Sequence, residues 1–301
     1  MNTVYKKNNE NTLEKLLKDQ NYLWNILFEQ ARDGIVVLNQ SGKVVISNKK
    51  FEEMLGYSSR DLQNMHVWDW DNTFSKNELL CKIKKIDYLG HHFETTHIRK
   101  NGTLIDVELS NSATIFENNK IIFCICRDIT QRKINEKHIH TLATIDCLTG
   151  LYNRREFISQ VERQISSTKK YKDKFSLIMY DIDDFKFIND NFGHLEGDKV
   201  LTLSSKLILK NIRNNDIAAR WGGEEFMLLL PHSNISNSRI IAEKLRHLIS
   251  GNIFNLDISI TASFGVTEFL HSDDIEILLK RVDKALYQAK MNGKNRVEFL
   301  T

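Results

Sequence analysis

Two domains of mixed structure, an antiparallel α+β unit followed by an α/β unit, are what this sequence predicts. Three observations carry the reading. The chain has 301 residues, more than one domain usually holds. Between residues 34 and 130, short apolar runs are joined by turn dipeptides such as Ser41-Gly42 and Asn101-Gly102, the pattern of antiparallel strands. From residue 146 onward, strand-length apolar runs alternate with stretches whose apolar residues recur at helical spacing.

Bulk properties exclude several classes. Hydrophobic residues make up 41% of the chain, enough for a core in each half. The formal net charge is +3, which gives no overall electrostatic footprint for a nucleic acid polymer. The longest apolar runs, such as Ile121 to Cys126, are strand length and far short of the ~20 residues of a membrane segment. The opening residues MNTVYKKNNENTLEK lack the apolar stretch of a signal peptide, so none is expected. Cys81, Cys124, Cys126 and Cys147 form no CxxC pair and read as reduced thiols of a cytoplasmic protein.

The elements follow in order. Leu13, Leu16, Leu17, Leu23, Ile26 and Leu27 recur near helical spacing and predict a helix over residues 10–30, with residues 1–21 as a helical lead-in. DGIVVLNQSGKVVISN gives two strands. KKFEEMLGYSSRDL gives short helices broken at Gly56. The stretch from His91 to Thr130 gives three antiparallel strands, turned at Asn101-Gly102 and Asn118-Asn119. In HVWDWDNTF, Trp68 and Trp70 either line a pocket or fill the core. This order of elements, with NKKFEEMLGYSSRDL and the exit CRDITQRK, resembles a PAS sensor domain over residues 22–130. The PAS ligand stays unassigned. The cysteine-containing flavin motif of light-sensing members is absent, and His66, His91, His92 and His97 are lone candidates for a haem.

Residues 131–145 read as a helical linker. Ile134, His138, Thr141, Leu142 and Ile145 fall near one stripe, and Asp128 or Thr130 can cap its start. The stripe fits a surface helix or a parallel coiled coil between two protomers. Beyond it, RREFISQVERQISSTKK is helical and FSLIMYDIDDF is a buried strand ending in acids. GHLEGDKVLTLSSKLILKNI and NSRIIAEKLRHLIS are helices. ISITASFGVTEF gives strands, and DIEILLKRVDKALYQAKMNGKN is a last helix.

The chemistry concentrates in two places. RNNDIAARWGGEEFMLLLP puts Gly222, Gly223, Glu224 and Glu225 between strands Ile217–Trp221 and Phe226–Leu230. Two glycines suit a hairpin, but Glu is a poor turn former, so the acids point to chemistry: bare backbone for a phosphate beside carboxylates for a metal. In DIDDFKFINDNFGHLEGD, Asp181, Asp183 and Asp184 crowd at a strand end, where their repulsion calls for a cation or for solvent. Asn189, Asp190, His194 and Asp198 follow at spacings that bring them round a loop into a helix; an Asn and an Asp near each other can read a guanine edge, and as single residues they read as surface polar groups. Asp181 and Glu224 share a metal if their strands are neighbours.

DCLTGLYNRREF, DIDDFKFINDNFGH, RWGGEEF and ALYQAKMNGKNRV, in that order, resemble the GGDEF family of diguanylate cyclases, over residues 146–301. The whole chain then reads as PAS, an antiparallel sheet with short helices, followed by a GGDEF domain resembling nucleotidyl cyclase catalytic domains. The resemblance implies condensation of two GTP into cyclic di-GMP with release of two pyrophosphates. It implies Mg2+ (or Mn2+) on Asp181, Glu224 and the Ile182 carbonyl. Glu224 also assists deprotonation of the ribose 3′-OH, and Glu225 is the second signature acid. Asn189 and Asp198 read guanine, with His194 nearby. Lys186, Lys290 and Lys294 meet the triphosphate beside Gly222 and Gly223. Lys294 stands where the family often has Arg, so the bidentate fork is lost. Phe226 is expected in the core. Arg213 and Asp216 match the family's product-inhibition site. The symmetric product implies a homodimer, which favours the coiled-coil reading of the linker. The alternative is an inactive cyclic di-GMP receptor, disfavoured because the signature acids stand. A cyclase making a mixed guanine–adenine product is disfavoured by Asp198, and a phosphodiesterase has no room in the chain.

Overall fold

The computed structural model describes residues 20–171, 173–251 and 259–301, divided into one unit through Lys137 and one from His138 onward. The predicted helix over residues 10–30 lies outside the described residues up to 19; its remainder is α1 (Gln20–Glu29).

In the first unit β1 (Gly34–Asn39) and β2 (Val44–Ser47) form a hairpin. Asn39 Oδ1 accepts from the Ser41 and Lys43 amides, each at 3.0 Å, and Gly42 takes φ +76°, so the turn closes on its own local chemistry. Helix α2 (Lys49–Leu55) starts at a fully buried Asn48. Its Oδ1 accepts from Phe51 N at 2.9 Å and Ile35 N at 2.8 Å, and its Nδ2 donates to the carbonyls of Phe28 and Asp33. One side chain thus caps the helix and fixes it to the sheet. Gly56 ends the helix in the left-handed conformation.

Helices α3 (Ser59–Leu62) and α4 (Lys76–Lys85) follow. Strands β3 (His91–Ile98), β4 (Leu104–Phe116) and β5 (Asn119–Asp128) complete an antiparallel sheet in the order β2-β1-β5-β4-β3. The β4–β5 turn sits one residue earlier than expected. Phe116 pairs with Asn119, so the turn residues are Glu117 and Asn118, both with positive φ. A two-residue hairpin turn of the I′ type takes that conformation at both positions, and after glycine Asn suits it best. Val36, Phe51, Leu55, Trp70, Val107 and Ile122 form the heart of this unit's core.

Helix α5 (Thr130–Thr144) begins where Thr130 Oγ1 accepts from the Asp106 amide and Lys133 pairs with Asp106 and Glu94. Ile134, Ile139 and Leu142 stay exposed along it. The border between the two units falls within it.

The second unit is a six-stranded sheet in the order β11-β10-β7-β9-β8-β6. Its strands are β6 (Tyr152–Asn153), β7 (Phe175–Ile182), β8 (Ile217–Gly222), β9 (Glu225–Pro231), β10 (Ala262–Glu268) and β11 (Val297–Leu300). All eight residues of β7 are buried, as its unbroken apolar run requires of a strand covered on both faces. Alternation divides its side chains between two cores. Ile178, Tyr180 and Ile182 join Phe226 and Phe264 on the face of α7 (Phe185–Phe192), α8 (His194–Asn211) and α9 (Ile235–Ser250). Leu177 and Met179 join Met227 and Leu229 on the face of α6 (Arg154–Tyr171) and α10 (Ile275–Met291). Phe226 is fully buried and stacks on Tyr180, with ring centroids 4.8 Å apart. Among the described residues no helix is long and apolar enough to cross a membrane.

Candidate active site

The sheet order decides what meets. β7 pairs antiparallel with β9, so the C-terminal end of one lies beside the start of the other, with Asp181 opposite Glu225. Glu224 completes the turn: its carbonyl accepts from Ile182 N at 3.4 Å. The two acids that the sequence separates by more than forty positions therefore sit together at the ends of the two central strands, on one rim of the sheet. Lys290, in the last turn of α10, reaches Asp181 with its Nζ 2.8 Å from Oδ2.

Asp181 is buried, and burial pushes its carboxyl up to about 6, against the opposing pull of Lys290 and helped by the charges of Glu224 and Glu225. Glu225 is half-buried and also raised by burial, with Lys290 opposing. It lines a small cavity with Asp283, Tyr287 and Lys290, on the α10 side of the sheet. The acids are thus desolvated with one lysine as their nearest counter-charge.

The signature turn consists of Gly223 and Glu224, since Gly222 pairs with Glu225. Gly223 takes φ +53°, which favours glycine. Gly222 has no such conformation, and a Cβ built on it would meet nothing within 4 Å. The fold leaves room for a side chain there, and the sequence leaves it bare. Both glycines are exposed.

The three aspartates at the end of β7 do not share one cation. Asp183 is buried and accepts from Ser263 Oγ at 2.6 Å, Thr261 Oγ1 at 2.7 Å and Asn295 N at 3.0 Å. Asp184 takes φ +55° and pairs with Lys294 at 2.6 Å. That left-handed residue turns the chain away from the strand line, so each acid finds a different partner. Lys294, itself at φ +59°, is held on Asp184, which raises its pKa.

Asn189 lies on α7, a helix where the sequence suggested only a loop, and Asp198 lies on α8. The two helices approach closely because residue 197 is glycine: a Cβ there would stand 2.0 Å from Asn189 Oδ1. Asn189 is half-buried, and Lys186, His194 and Asp198 are exposed. Arg213 and Asp216 lie at the opposite end of β8 from the glycines, roughly 17 Å away along the strand. There the Asp216 carboxylate accepts from Arg213 N at 2.9 Å and closes its own turn. Burial raises the Asp216 carboxyl, with the Arg213 amide and charge opposing.

Trp68 and Trp70 part company. Trp70 is buried, packs edge-on against Phe51 and lines the cavity of the first unit. Trp68 does not line that cavity; it stacks on His66 beneath Lys76, because the short 3-10 turn Val67–Asp69 carries the two rings to different sides.

Sequence reasoning gave no role to Arg220 and Asp146. Arg220 Nε donates to Gly223 O at 2.8 Å, and its Nη1 reaches both Asp146 oxygens at 3.3 Å. Burial raises the Asp146 carboxyl, and the Thr149 hydroxyl and amide with Arg220 outweigh it, so it titrates below its ordinary range. The signature turn is thereby tied to the segment that follows α5. The available signal was position: Asp146 opens DCLTGLYNRREF and Arg220 opens RWGGEEF. Among the described residues no three His, Cys, Asp or Glu side chains gather as a metal cluster. The oxygen donors at this rim are the two carboxylates Asp181 and Glu224 with neighbouring carbonyls, a set that suits a hard divalent cation completed by substrate oxygens.

A central sheet with this acid-and-glycine rim defines a GGDEF domain, and the chain belongs to that family: the model described as "Diguanylate cyclase, GGDEF domain" matches residues 143–296. A PAS domain model matches residues 32–131. The chain is similar to diguanylate cyclase DgcM of Escherichia coli K12, 31% identical over 262 residues, covering 86% of this chain and 63% of that protein. It is 39% identical over 194 residues to diguanylate cyclase VdcA of Vibrio cholerae, covering 62% of this chain and 55% of that one. The crystal structure of the coiled coil and GGDEF domain of DgcB from Caulobacter crescentus, in complex with c-di-GMP, superimposes with a TM-score of 0.55 at 28% identity. It covers 57% of this chain and 93% of that chain. The chain spans less than two thirds of the length of these two curated relatives.

Proposed function

We propose that the second unit condenses two GTP into cyclic di-GMP and releases two pyrophosphates. The observation that carries this is the meeting of Asp181 and Glu224 on one rim of the sheet beside the bare Gly222-Gly223 backbone. Asp181, Glu224 and the Ile182 carbonyl would hold Mg2+. When bound, that ion neutralises phosphate charge and lowers the pKa of the attacking alcohol. The amides of the glycine turn would face the phosphates, and Lys290, Lys294 and Lys186 would meet the triphosphate. Asn189 and Asp198 read the guanine edge, with His194 beside them. Glu224 takes the proton of the 3′-OH, and Glu225 holds Lys290 in reach.

Each domain holds one GTP, and each 3′-OH attacks the α-phosphate of the other, so two copies must meet. The exposed Ile134, His138, Thr141 and Leu142 of α5, near one stripe, supply a seam for that homodimer. The PAS unit regulates how the two faces meet. Arg213 and Asp216, away from the acids, take product as feedback. The substrate places the reaction in the cytoplasm.

The test is to incubate purified protein with GTP and Mg2+ and to separate the nucleotides by chromatography, with Glu224→Gln alongside. Cyclic di-GMP from the parent and none from the variant is the expected result. No product from either, with tight cyclic di-GMP binding that Arg213→Ala abolishes, would overturn it in favour of a receptor.

A further inference from the structure

Three lysines are proposed to meet the triphosphate, and two of them already hold a carboxylate. Lys290 Nζ stands 2.8 Å from Asp181 Oδ2, and Lys294 Nζ stands 2.6 Å from Asp184 Oδ1. Asp181 belongs to the proposed cation set, so its pairing with Lys290 is part of that chemistry. Asp184 does not. It occupies the N-cap position of α7, where an aspartate ordinarily accepts from an amide of its own helix. Its left-handed backbone, φ +55° and ψ +31°, departs from the extended backbone that capping uses, and the side chain makes no cap bond. The carboxylate instead reaches Lys294, 110 positions later.

Backbone and tip of Lys294 are held separately. Its turn is tied to Asp183 through the Asn295 amide, whereas Asp184 touches only the ammonium. The bond to Asp184 raises the Lys294 pKa, and the charges of Asp184, Asp183 and Asp181 add to the rise. The ammonium therefore lies within electrostatic reach of the rim that carries Asp181. Both partners are open to solvent, with side-chain exposures of 44% and 65%, so water screens the pair and its hold is weak.

The identity of residue 294 decides what this contact does. A lysine ammonium is a point charge that one carboxylate neutralises. An arginine carries five donors in a planar fork and can keep a carboxylate on one side and a phosphate on another. With lysine at 294, a carboxylate and a phosphate seek the same group.

We infer that Asp184 competes with the phosphates of the nucleotide for Lys294 and so sets a brake on GTP affinity, an inference that rests on the reading of the second unit as the GTP site. Asp184 is a positioning residue: it acts through Lys294 and touches no reacting atom.

The experiment titrates 3′-deoxy-GTP with Mg2+ into the full-length protein by calorimetry, since a nucleotide without a 3′-OH binds but cannot react. Initial rates of cyclic di-GMP formation from GTP run alongside. Asp184→Asn keeps a residue that tolerates the left-handed backbone and removes no helix cap. It should bind the analogue about two- to fivefold more tightly, the size an exposed ion pair gives, and lower KM by the same factor with kcat unchanged. Lys294→Arg should also tighten binding, and Asp184→Asn added to it should gain little. Lys294→Ala should weaken binding, and in that background Asp184→Asn should change nothing. Unchanged or weaker binding by Asp184→Asn overturns the proposal. An equal gain in the Lys294→Ala background overturns it too, because the effect would then be general charge rather than competition for Lys294. Analogue binding without cyclic di-GMP from GTP overturns the cyclase reading alone, and the binding comparison still decides the role of Asp184. Absence of binding by the parent and every variant overturns both.

Discussion

Asp183 sits at the centre of the most consequential contact network outside the proposed catalytic acids. Its carboxylate accepts three hydrogen bonds: from Ser263, from Thr261, and from the backbone amide of Asn295. The last of these anchors a turn in which Gly293, Lys294 and Asn295 all have positive φ. Left-handed backbone costs about 1 kcal/mol or more at each non-glycine position, so the turn needs fixed partners. Arg246 supplies the others, donating to Asn295 O and Oδ1. Asp183→Ala removes three bonds to a charged acceptor, each contributing about 1.5–3 kcal/mol. The two hydroxyls can rotate and the Asn295 amide is on an exposed turn, so part is recovered. The expected loss is about 3–5 kcal/mol in the unfolding of the second unit. Asp183→Asn retains one acceptor oxygen and should lose about 1–2 kcal/mol. Releasing the turn also frees Lys294, so KM for GTP should rise about tenfold, with a smaller change in kcat. Denaturant titration and initial rates read the two effects separately. An alanine variant within about 0.5 kcal/mol of the parent, with KM unchanged, refutes the reasoning.

Three further outcomes are expected. Gly265→Ala would put a Cβ 2.3 Å from Leu286 N and 2.6 Å from Val282 O, both backbone atoms of α10, so it should destabilise the second unit by about 3 kcal/mol in denaturant titration. Arg220→Lys keeps the charge but loses the link from Gly223 O to Asp146; turnover should fall about ten- to a hundredfold, Asp146→Asn should do the same, and the double variant should be little worse than either. His97, with a folded pKa lowered to about 4 from 6.5, takes its proton more readily in the unfolded chain. Its contribution is therefore present above pH 6.5 and is lost as pH falls toward 4. Between pH 7 and pH 5 the first unit should lose about 2 kcal/mol more than a His97→Phe protein, read from denaturation curves at both pH values.

Much of this architecture was legible because local chemistry and global fold agree. The Ser41-Gly42 turn needs only its neighbours, and the unbroken apolar run of β7 announces a strand covered on both faces. Apart from the one-residue shift of the β4–β5 turn, what the sequence hides depends on partners distant in sequence. The crowding of Asp181, Asp183 and Asp184 calls for a cation or for solvent along the chain, and Lys290, Asn295 and Lys294, each more than a hundred positions later, divide the three acids among them. The same long-range closure explains why β11 escaped notice: it is a four-residue strand that forms because Phe264 N donates to Arg296 O and the chain then runs parallel to β10. Arg220 belongs to this class as well, since nothing beside it in sequence reveals that it spans from the glycine turn to Asp146. The residues legible from sequence are those carried by a short motif, whereas the residues that hold those motifs in register are legible only once the sheet order is known. The sheet rim at Asp181 thus owes its composition to the motifs and its geometry to Asp183, Arg220 and Gly265, which is why substitutions at these three positions test the fold's part in the chemistry separately from the acids themselves.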